Sequence, residues 1–130
     1  MKVKIDTKEH FHLIVPEEPA ISAIMAEPWR RLLETYAAMA PFNLVISLEQ
    51  VRIMAPECLE ALEEQVHRSR SSRHSLAVFL PTVSPLRNPG NTYLKKLEPV
   101  QTLDEAIDLV AMESLERELL DGSPDFPSQL

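Results

Sequence analysis

Cys58 carries the most reactive side chain in this sequence and is its only cysteine. A catalytic thiol needs a neighbouring imidazole and an electropositive pocket that stabilise the thiolate. Here the adjacent residue is Glu57, whose charge has the wrong sign, and His67 and His74 are distant along the chain. We therefore expect Cys58 to be a small packed side chain. A single cysteine forms no internal disulfide, which fits a reducing, cytoplasmic environment.

Two histidines, His10 and His12, have the spacing that places side chains on one face of a strand. A zinc site needs three or four ligands, and no cluster of histidine and cysteine supplies the others. Glu9 is adjacent, but its side chain would point to the opposite face. We expect no metal site and interpret both histidines as solvent-exposed residues of a hairpin.

Four glutamates, Glu57, Glu60, Glu63 and Glu64, have the spacing of one helix face. This acidic face is either a solvated surface or a docking surface for a basic patch on a partner, and the sequence leaves both interpretations open. Acid–base catalysis by a pair of these carboxylates would require a pocket and a shifted pKa. The sequence indicates neither of these.

The segment 68–74, RSRSSRH, places three serines among arginines. We interpret it as a solvated polar loop after a helix, with kinase sites as the alternative. The net charge of the whole chain is −7, and such a field repels nucleic-acid phosphates and anionic lipid. Nucleic acid is therefore not an expected partner.

Composition excludes several other functions. The chain has two glycines, too few for a Gly-rich phosphate-binding loop, so we expect no nucleotide cofactor. No other cofactor motif is present in the sequence, and we expect no cofactor of another kind. No apolar run approaches the roughly 20 residues of a membrane span. The first ten residues, MKVKIDTKEH, are charged and contain no apolar signal region, so we expect neither secretion nor direct membrane insertion.

Hydrophobic periodicity predicts the elements that position these residues. Val3 and Ile5 alternate with polar residues, and the stretch 11–15 is apolar, so an N-terminal β-hairpin is expected with its turn at 7–10. The apolar runs NLVISL at 43–48 and LAVFL at 76–80 predict strands that are covered on both faces. A short edge strand at Val100 and Gln101 would be the last.

Helices are predicted between these strands. The first has one apolar face and ends at Pro41, and the second begins at Pro56. A short third helix surrounds Leu94, and a capping box of Thr102 and Glu105 opens the fourth. The apolar positions of the first, second and fourth helices are Trp29, Leu32, Leu33, Tyr36 and Ala40; Leu59, Leu62 and Val66; and Leu103, Ala106, Ile107, Val110, Leu115, Leu119 and Leu120.

The element order is therefore ββαβαβα(β)α, which predicts an α/β fold with a mixed, mostly parallel sheet of four to five strands and about four helices. Residues 1–121 form one domain in this interpretation. Gly122 would stop the last helix, and residues 122–130, which are rich in proline and serine, would form a flexible tail.

This order resembles the STAS domain (sulfate transporter and anti-sigma factor antagonist), and the resemblance is strongest at residues 44–66. That family has an apolar strand, Asp-Leu-Ser, a turn, an aliphatic pair, and Asp-Ser-Ser-Gly-Leu at the start of a helix. Here Ser47-Leu48-Glu49 stands at Asp-Leu-Ser, Ile53-Met54 at the aliphatic pair, and Ala55-Pro56-Glu57-Cys58-Leu59 at Asp-Ser-Ser-Gly-Leu. The segment TLDEAIDLV, 102–110, is similar to the family's last helix.

The resemblance implies a non-catalytic protein-interaction module. Family members bind a partner, commonly an anti-sigma factor that is also a serine kinase, and phosphorylation of a serine at the helix start controls this binding. A second possibility is an accessory subunit that binds the ATPase of an ABC-type lipid transporter. A homodimer is a further possibility. The resemblance places the partner-binding surface at Pro56, Glu57, Cys58, Glu60 and Glu64, with the loop 81–85 beside it.

The sequence departs from the family at the phosphoacceptor, where it has Glu57 in place of serine. Glu57 has no hydroxyl group, so the usual phosphorylation is expected to be absent. Its carboxylate either imitates the phosphorylated state permanently or is an ordinary first-turn residue, worth about 0.3–1 kcal/mol through the helix dipole. Both hypotheses remain open on the sequence.

Overall fold

A computed structural model describes residues 1–120 of the chain, so the predicted tail and the stop at Gly122 lie outside the described residues. The strands are β1 (Val3–Thr7), β2 (His12–Pro16), β3 (Ala20–Ile21), β4 (Leu44–Ser47), β5 (Ile53–Met54) and β6 (Leu76–Phe79). The α-helices are α1 (Ala26–Ala37), α2 (Pro56–Ser71), α3 (Leu94–Leu97) and α4 (Leu103–Leu120). Short 3₁₀ helices lie at Ala23–Met25 and Pro85–Arg87.

The main sheet has the strand order β1-β2-β4-β6. β1 and β2 form the predicted hairpin and pair antiparallel, with Ile5 opposite Ile14. The pairs β2–β4 and β4–β6 are parallel, so the prediction of a mixed, mostly parallel sheet is confirmed. Instead of a fifth strand in this sheet, Val100 forms a single parallel bridge with Phe79.

Each face of the sheet packs on a separate apolar cluster. Trp29 and Leu33 of α1 and Leu62 of α2 pack with Ile14 and Ile46 on one face, and all five side chains are buried. On the other face, α4 packs on a smaller cluster that contains Phe11, Val45, Ala77, Phe79, Ala106 and Val110. The sheet therefore separates α1 and α2 from α4.

Helix α2 is longer than the sequence predicted. The segment 68–74 was expected to be a loop, but the helix continues to Ser71. Ser69 is buried and its hydroxyl donates to the carbonyl of Val66 at 2.6 Å, which satisfies a polar group that a loop would have hydrated. Arg68 and Arg70 lie in the last turn, where cations complement the C-terminal end of the helix dipole.

His12 is also placed differently from the expectation. His10 is exposed as expected, but the His12 side chain is fully buried. Its Nε2 lies 2.8 Å from the carbonyl oxygen of Met39, and its Nδ1 lies 2.8 Å from the hydroxyl of Thr7. The ring also meets Tyr36 edge to face, with the ring centroids 5.1 Å apart. His12 is buried because its strand face lies under α1 and the chain that follows it.

The beginning of α4 is as predicted. The Thr102 hydroxyl accepts a hydrogen bond from the backbone N–H of Glu105 at 3.1 Å, and it donates to the carboxylate of Glu105 at 3.3 Å. Helix α4 continues through Leu119 and Leu120, also as predicted. Across residues 1–120, no helix has both the length and the apolar character needed to cross a membrane.

Candidate docking site at the start of helix α2

The start of α2 is held in place by the short parallel pair β3–β5. Ala20 lies opposite Ile53 and Ile21 opposite Met54, and the Ala55 N–H donates to the carbonyl of Ile21 at 2.8 Å. Ala55 has extended backbone angles, and the helix begins at Pro56, whose fixed φ suits a first helical position and whose missing N–H would have had no partner there. The chain therefore turns abruptly from β5 into α2.

Trp29 supports this turn from below. Its side chain is fully buried, and its Nε1–H donates to the carbonyl of Cys58 at 3.2 Å. The Cys58 thiol donates in turn to the carbonyl of Ser22 at 3.4 Å. Burial, together with the charge of Glu57, raises the pKa of the Cys58 thiol, so the thiol stays protonated at neutral pH. The expectation of a small packed cysteine is confirmed.

The residues expected to bind a partner differ in exposure. Pro56, Glu57 and Glu60 are exposed and share the outer side of the first turns of α2. Cys58 is fully buried, so its side chain cannot touch a partner and leaves the candidate surface. Glu64 is partly buried, and both of its carboxylate oxygens accept from one nitrogen of Arg30, at 2.5 and 2.8 Å.

This ion pair makes Glu64 part of the contact between α1 and α2. The hydrogen bond from Arg30 to Glu64 raises the pKa of Arg30. A second pair, Arg68 with Glu34 at 3.1 Å, joins the same helices further along. Lys96 lies 3.5 Å from Glu63, on the side toward α3. The acidic helix face is therefore divided: Glu57 and Glu60 point to solvent, and Glu63 and Glu64 face neighbouring elements.

A groove of about 390 Å³ lies between the β5–α2 turn and the segment that follows β6. Its lining is partly apolar, with Ile53, Met54, Pro56, Leu59, Leu86 and Tyr93, and partly polar, with Arg52 as its charged residue. Ile53, which lines this groove, is exposed at 66%. Two other aliphatic side chains are also exposed: Ile24 at 87%, in the 3₁₀ helix that packs against α1 and α2, and Val83 at 89%, in the loop before Pro85–Arg87. The side chain of Ile53 therefore adds exposed apolar surface beside the exposed start of α2.

Arg87 holds the far wall of this groove in place. Its guanidinium donates to the carbonyls of Leu80, at 2.5 Å, and Pro81, at 3.0 Å, and reaches the carbonyl of Val100 at 3.5 Å. A local hydrogen bond also fixes the turn in this wall: the Ser84 hydroxyl accepts from the Leu86 N–H at 3.2 Å. The loop 81–85, which was predicted to adjoin the docking surface, is therefore held by hydrogen bonds, and its Pro85 lines the groove.

Sequence reasoning identified the exposed start of α2 but missed the residues that shape its surroundings. Trp29 was recognised only as a core position, and Arg87 was not singled out. The exposed apolar positions at 24, 53 and 83 were also missed, although isolated aliphatic residues in polar or proline-bounded segments were a possible signal. Among residues 1–120, no three His, Cys, Asp or Glu side chains are grouped closely enough to hold a metal ion.

Comparison with known proteins identifies the fold. No protein-family model and no curated protein sequence matches the chain. Among solved structures, the crystal structure of an anti-sigma factor antagonist from Mycobacterium paratuberculosis is similar, with a TM-score of 0.64 and 19% sequence identity. The similarity covers 85% of this chain and 93% of that chain. At this identity it establishes the fold alone, and the predicted STAS-like fold is confirmed.

Proposed function

Starting from the STAS-like fold, we propose that the chain is a non-catalytic regulatory domain of the cytoplasm that binds a protein partner through the start of α2. The observation that carries the proposal is the combination of exposed Pro56, Glu57 and Glu60 with the exposed aliphatic side chain of Ile53 at the same turn. The proposed partner resembles an anti-sigma factor with serine-kinase character.

This surface combines an exposed apolar side chain with acidic side chains. Apolar side chains in a protein interface supply most of the affinity when they are buried, and charges around them select the partner. Here exposed Ile53 belongs to a turn whose backbone is fixed by β3–β5 and by Trp29. A rigid surface loses little conformational entropy on binding. A partner with an apolar patch next to basic residues fits this arrangement.

Glu57 is proposed to act at the centre of this surface. It is exposed in the first turn of α2, where the helix dipole favours a negative charge. In STAS-like proteins with serine at this position, phosphorylation would bring nearly two negative charges to the same place. A permanent carboxylate supplies part of that charge. The competing hypothesis is that Glu57 only stabilises the helix start.

Affinity capture from the native host separates these two hypotheses. Wild type, Glu57→Ser and Glu57→Ala would each be immobilised and the recovered proteins quantified by mass spectrometry. If the carboxylate sets the binding state, recovery of the partner changes by about fivefold or more, equivalent to roughly 1 kcal/mol. The two variants change in the same direction, because both remove the charge.

Equal recovery in all three would leave Glu57 as a helix-start residue without a regulatory role. Ile53→Asp serves as the control for the surface itself, since it places a charge in the exposed apolar part without touching Glu57. Partner recovery that survives Ile53→Asp would contradict docking at this site. Recovery of a transporter ATPase in place of an anti-sigma factor would identify the chain as an accessory transport subunit.

We also expect no phosphorylation at residues 55–59. This segment contains no serine, threonine or tyrosine, and its Cys58 is buried. Incubation with the captured kinase and ATP, followed by peptide mapping, should give no phosphopeptide from this segment in wild type. Glu57→Ser introduces an exposed hydroxyl. Phosphate on this hydroxyl would show that the kinase recognises the site. Labelling elsewhere in wild type would place any control by phosphorylation outside the start of α2.

A further inference from the structure

Helix α4 is apolar on two opposite sides. One side contains Ala106 and Val110, which are fully buried against the sheet. On the other side, Met112, Leu115 and Leu119 follow the i, i+3, i+7 spacing of a single stripe, and they are exposed at 63%, 55% and 51%. At 100° per residue this stripe lies nearly opposite the buried side. Packing within residues 1–120 therefore does not account for it.

The sheet face under α4 is also thinly covered. In the described part of the chain, α1 and α2 share the opposite face, whereas α4 is the one long helix on this face. Leu13 and Ile107, which belong to the cluster under α4, are only partly buried. A second helix lying along α4 would bury the stripe and would form a layer comparable to that of α1 and α2.

The charges around the stripe are of one sign. Five exposed acidic residues lie on the same helix: Asp104, Glu105, Asp108, Glu116 and Glu118. The one basic residue of α4, Arg117, turns toward the sheet, where it donates to the Ser75 hydroxyl at 2.7 Å and to the side-chain oxygen of Asn43 at 3.0 Å. The outer side of α4 is thus an apolar stripe with acidic surroundings.

We propose that this outer side of α4 is a second docking site, whose occupant is a cationic amphipathic helix with aliphatic residues along one side and lysine or arginine beside them. Charge complementarity decides between the occupants. A second copy of this chain would bring the same five carboxylates against each other, and anionic lipid would be repelled in the same way. Residues 121–130 contain Asp121 and Asp125 and no lysine or arginine, so they do not supply the missing charge.

The test uses two synthetic helical peptides of about 18 residues with the same leucine stripe, one with lysine and one with glutamate at the flanking positions. The full chain should bind the lysine peptide at least about tenfold more tightly than the glutamate peptide. Raising the salt concentration from about 0.05 M to 0.5 M should weaken the binding severalfold, because the flanking charges are exposed. Nuclear magnetic resonance shifts should map the bound peptide to residues 104–119.

Three pairs of substitutions distinguish this site from general attraction to an acidic protein. Leu115→Gln with Leu119→Gln should weaken binding of the lysine peptide by about tenfold or more. Asp108→Asn with Glu116→Gln should weaken it severalfold, whereas Glu9→Gln with Glu49→Gln, which removes the same net charge from exposed positions elsewhere, should not.

Three results would overturn the proposal. Equal weakening by the two charge-removing pairs would show attraction to net charge alone. Equal affinity for both peptides would remove the role of the acidic surroundings. A concentration-dependent dimer that Leu115→Gln with Leu119→Gln abolishes would make the occupant a second copy. This test uses synthetic peptides and needs no partner bound at the start of α2. Its outcome therefore does not depend on the proposed function, which Ile53→Asp tests separately.

Discussion

Replacing Trp29 with alanine should lower the free energy of unfolding by about 3–5 kcal/mol, the range for removing a large aromatic side chain from a packed core. The side chain is fully buried between α1 and α2, and its indole N–H donates to the Cys58 carbonyl at 3.2 Å. Its removal leaves a cavity directly below the turn into α2 and leaves that carbonyl without its side-chain donor. Urea unfolding followed by far-UV circular dichroism measures the change.

Trp29→Phe is the matched control for this prediction. Phenylalanine retains most of the apolar contact but has no N–H donor, so we expect a loss of only about 1–2 kcal/mol. Partner capture with this better-folded variant then tests whether the hydrogen bond positions the docking site. If Trp29→Ala lowers the free energy of unfolding by less than about 1 kcal/mol, the central packing role that the structure gives Trp29 would be contradicted.

Replacing Arg87 with alanine should destabilise the chain by about 2–3 kcal/mol, because hydrogen bonds from a charged group each contribute about 1.5–3 kcal/mol and the partly exposed carbonyls regain some water. The guanidinium connects the carbonyls of the consecutive residues Leu80 and Pro81, directly after β6, with the carbonyl of Val100. We expect amide hydrogen exchange to accelerate across residues 81–91. Exchange in β1 and β2 should change far less.

Arg87→Lys is the informative companion variant. Lysine keeps the charge but offers a single ammonium group, which cannot reach three carbonyls in the planar geometry of the guanidinium. It should therefore recover less than half of the lost stability. Full recovery by lysine would show that charge, and not the fork of hydrogen bonds, holds the groove wall.

The sequence was sufficient to predict the main sheet, because the signals there are local, but it did not predict the parallel pair β3–β5. The apolar runs around Val45 and Val78 are too short for helices, and their position between proline and polar segments marks both ends. The beginning of α2 was equally predictable, since Pro56 suits a first helical position. The capping box of Thr102 and Glu105 located the start of α4 for the same reason.

Two of the errors arose where contacts between distant segments decide, and one arose from a contact within a helix. The burial of His12 depends on the Met39 carbonyl, which lies 27 residues away along the chain, and no local pattern reveals it. The extension of α2 depends on Ser69 reaching a carbonyl within its own helix, an arrangement that a serine- and arginine-rich segment does not indicate. The helix of the candidate site was predicted and its groove was missed, because the lining residues Ile53, Leu59 and Tyr93 come from three separate segments.

The hydrogen bonds of Asn43 join segments that lie far apart in the sequence. Its amide donates to the carbonyl of His10 at 2.8 Å, and its oxygen accepts from the Ser75 N–H at 2.9 Å and from Arg117 at 3.0 Å. This junction closes the start of β4 only after residue 117 has been added. A nascent chain still lacking α4 leaves one side of the sheet without its helix, so we expect the complete fold to form only after α4 has left the exit tunnel.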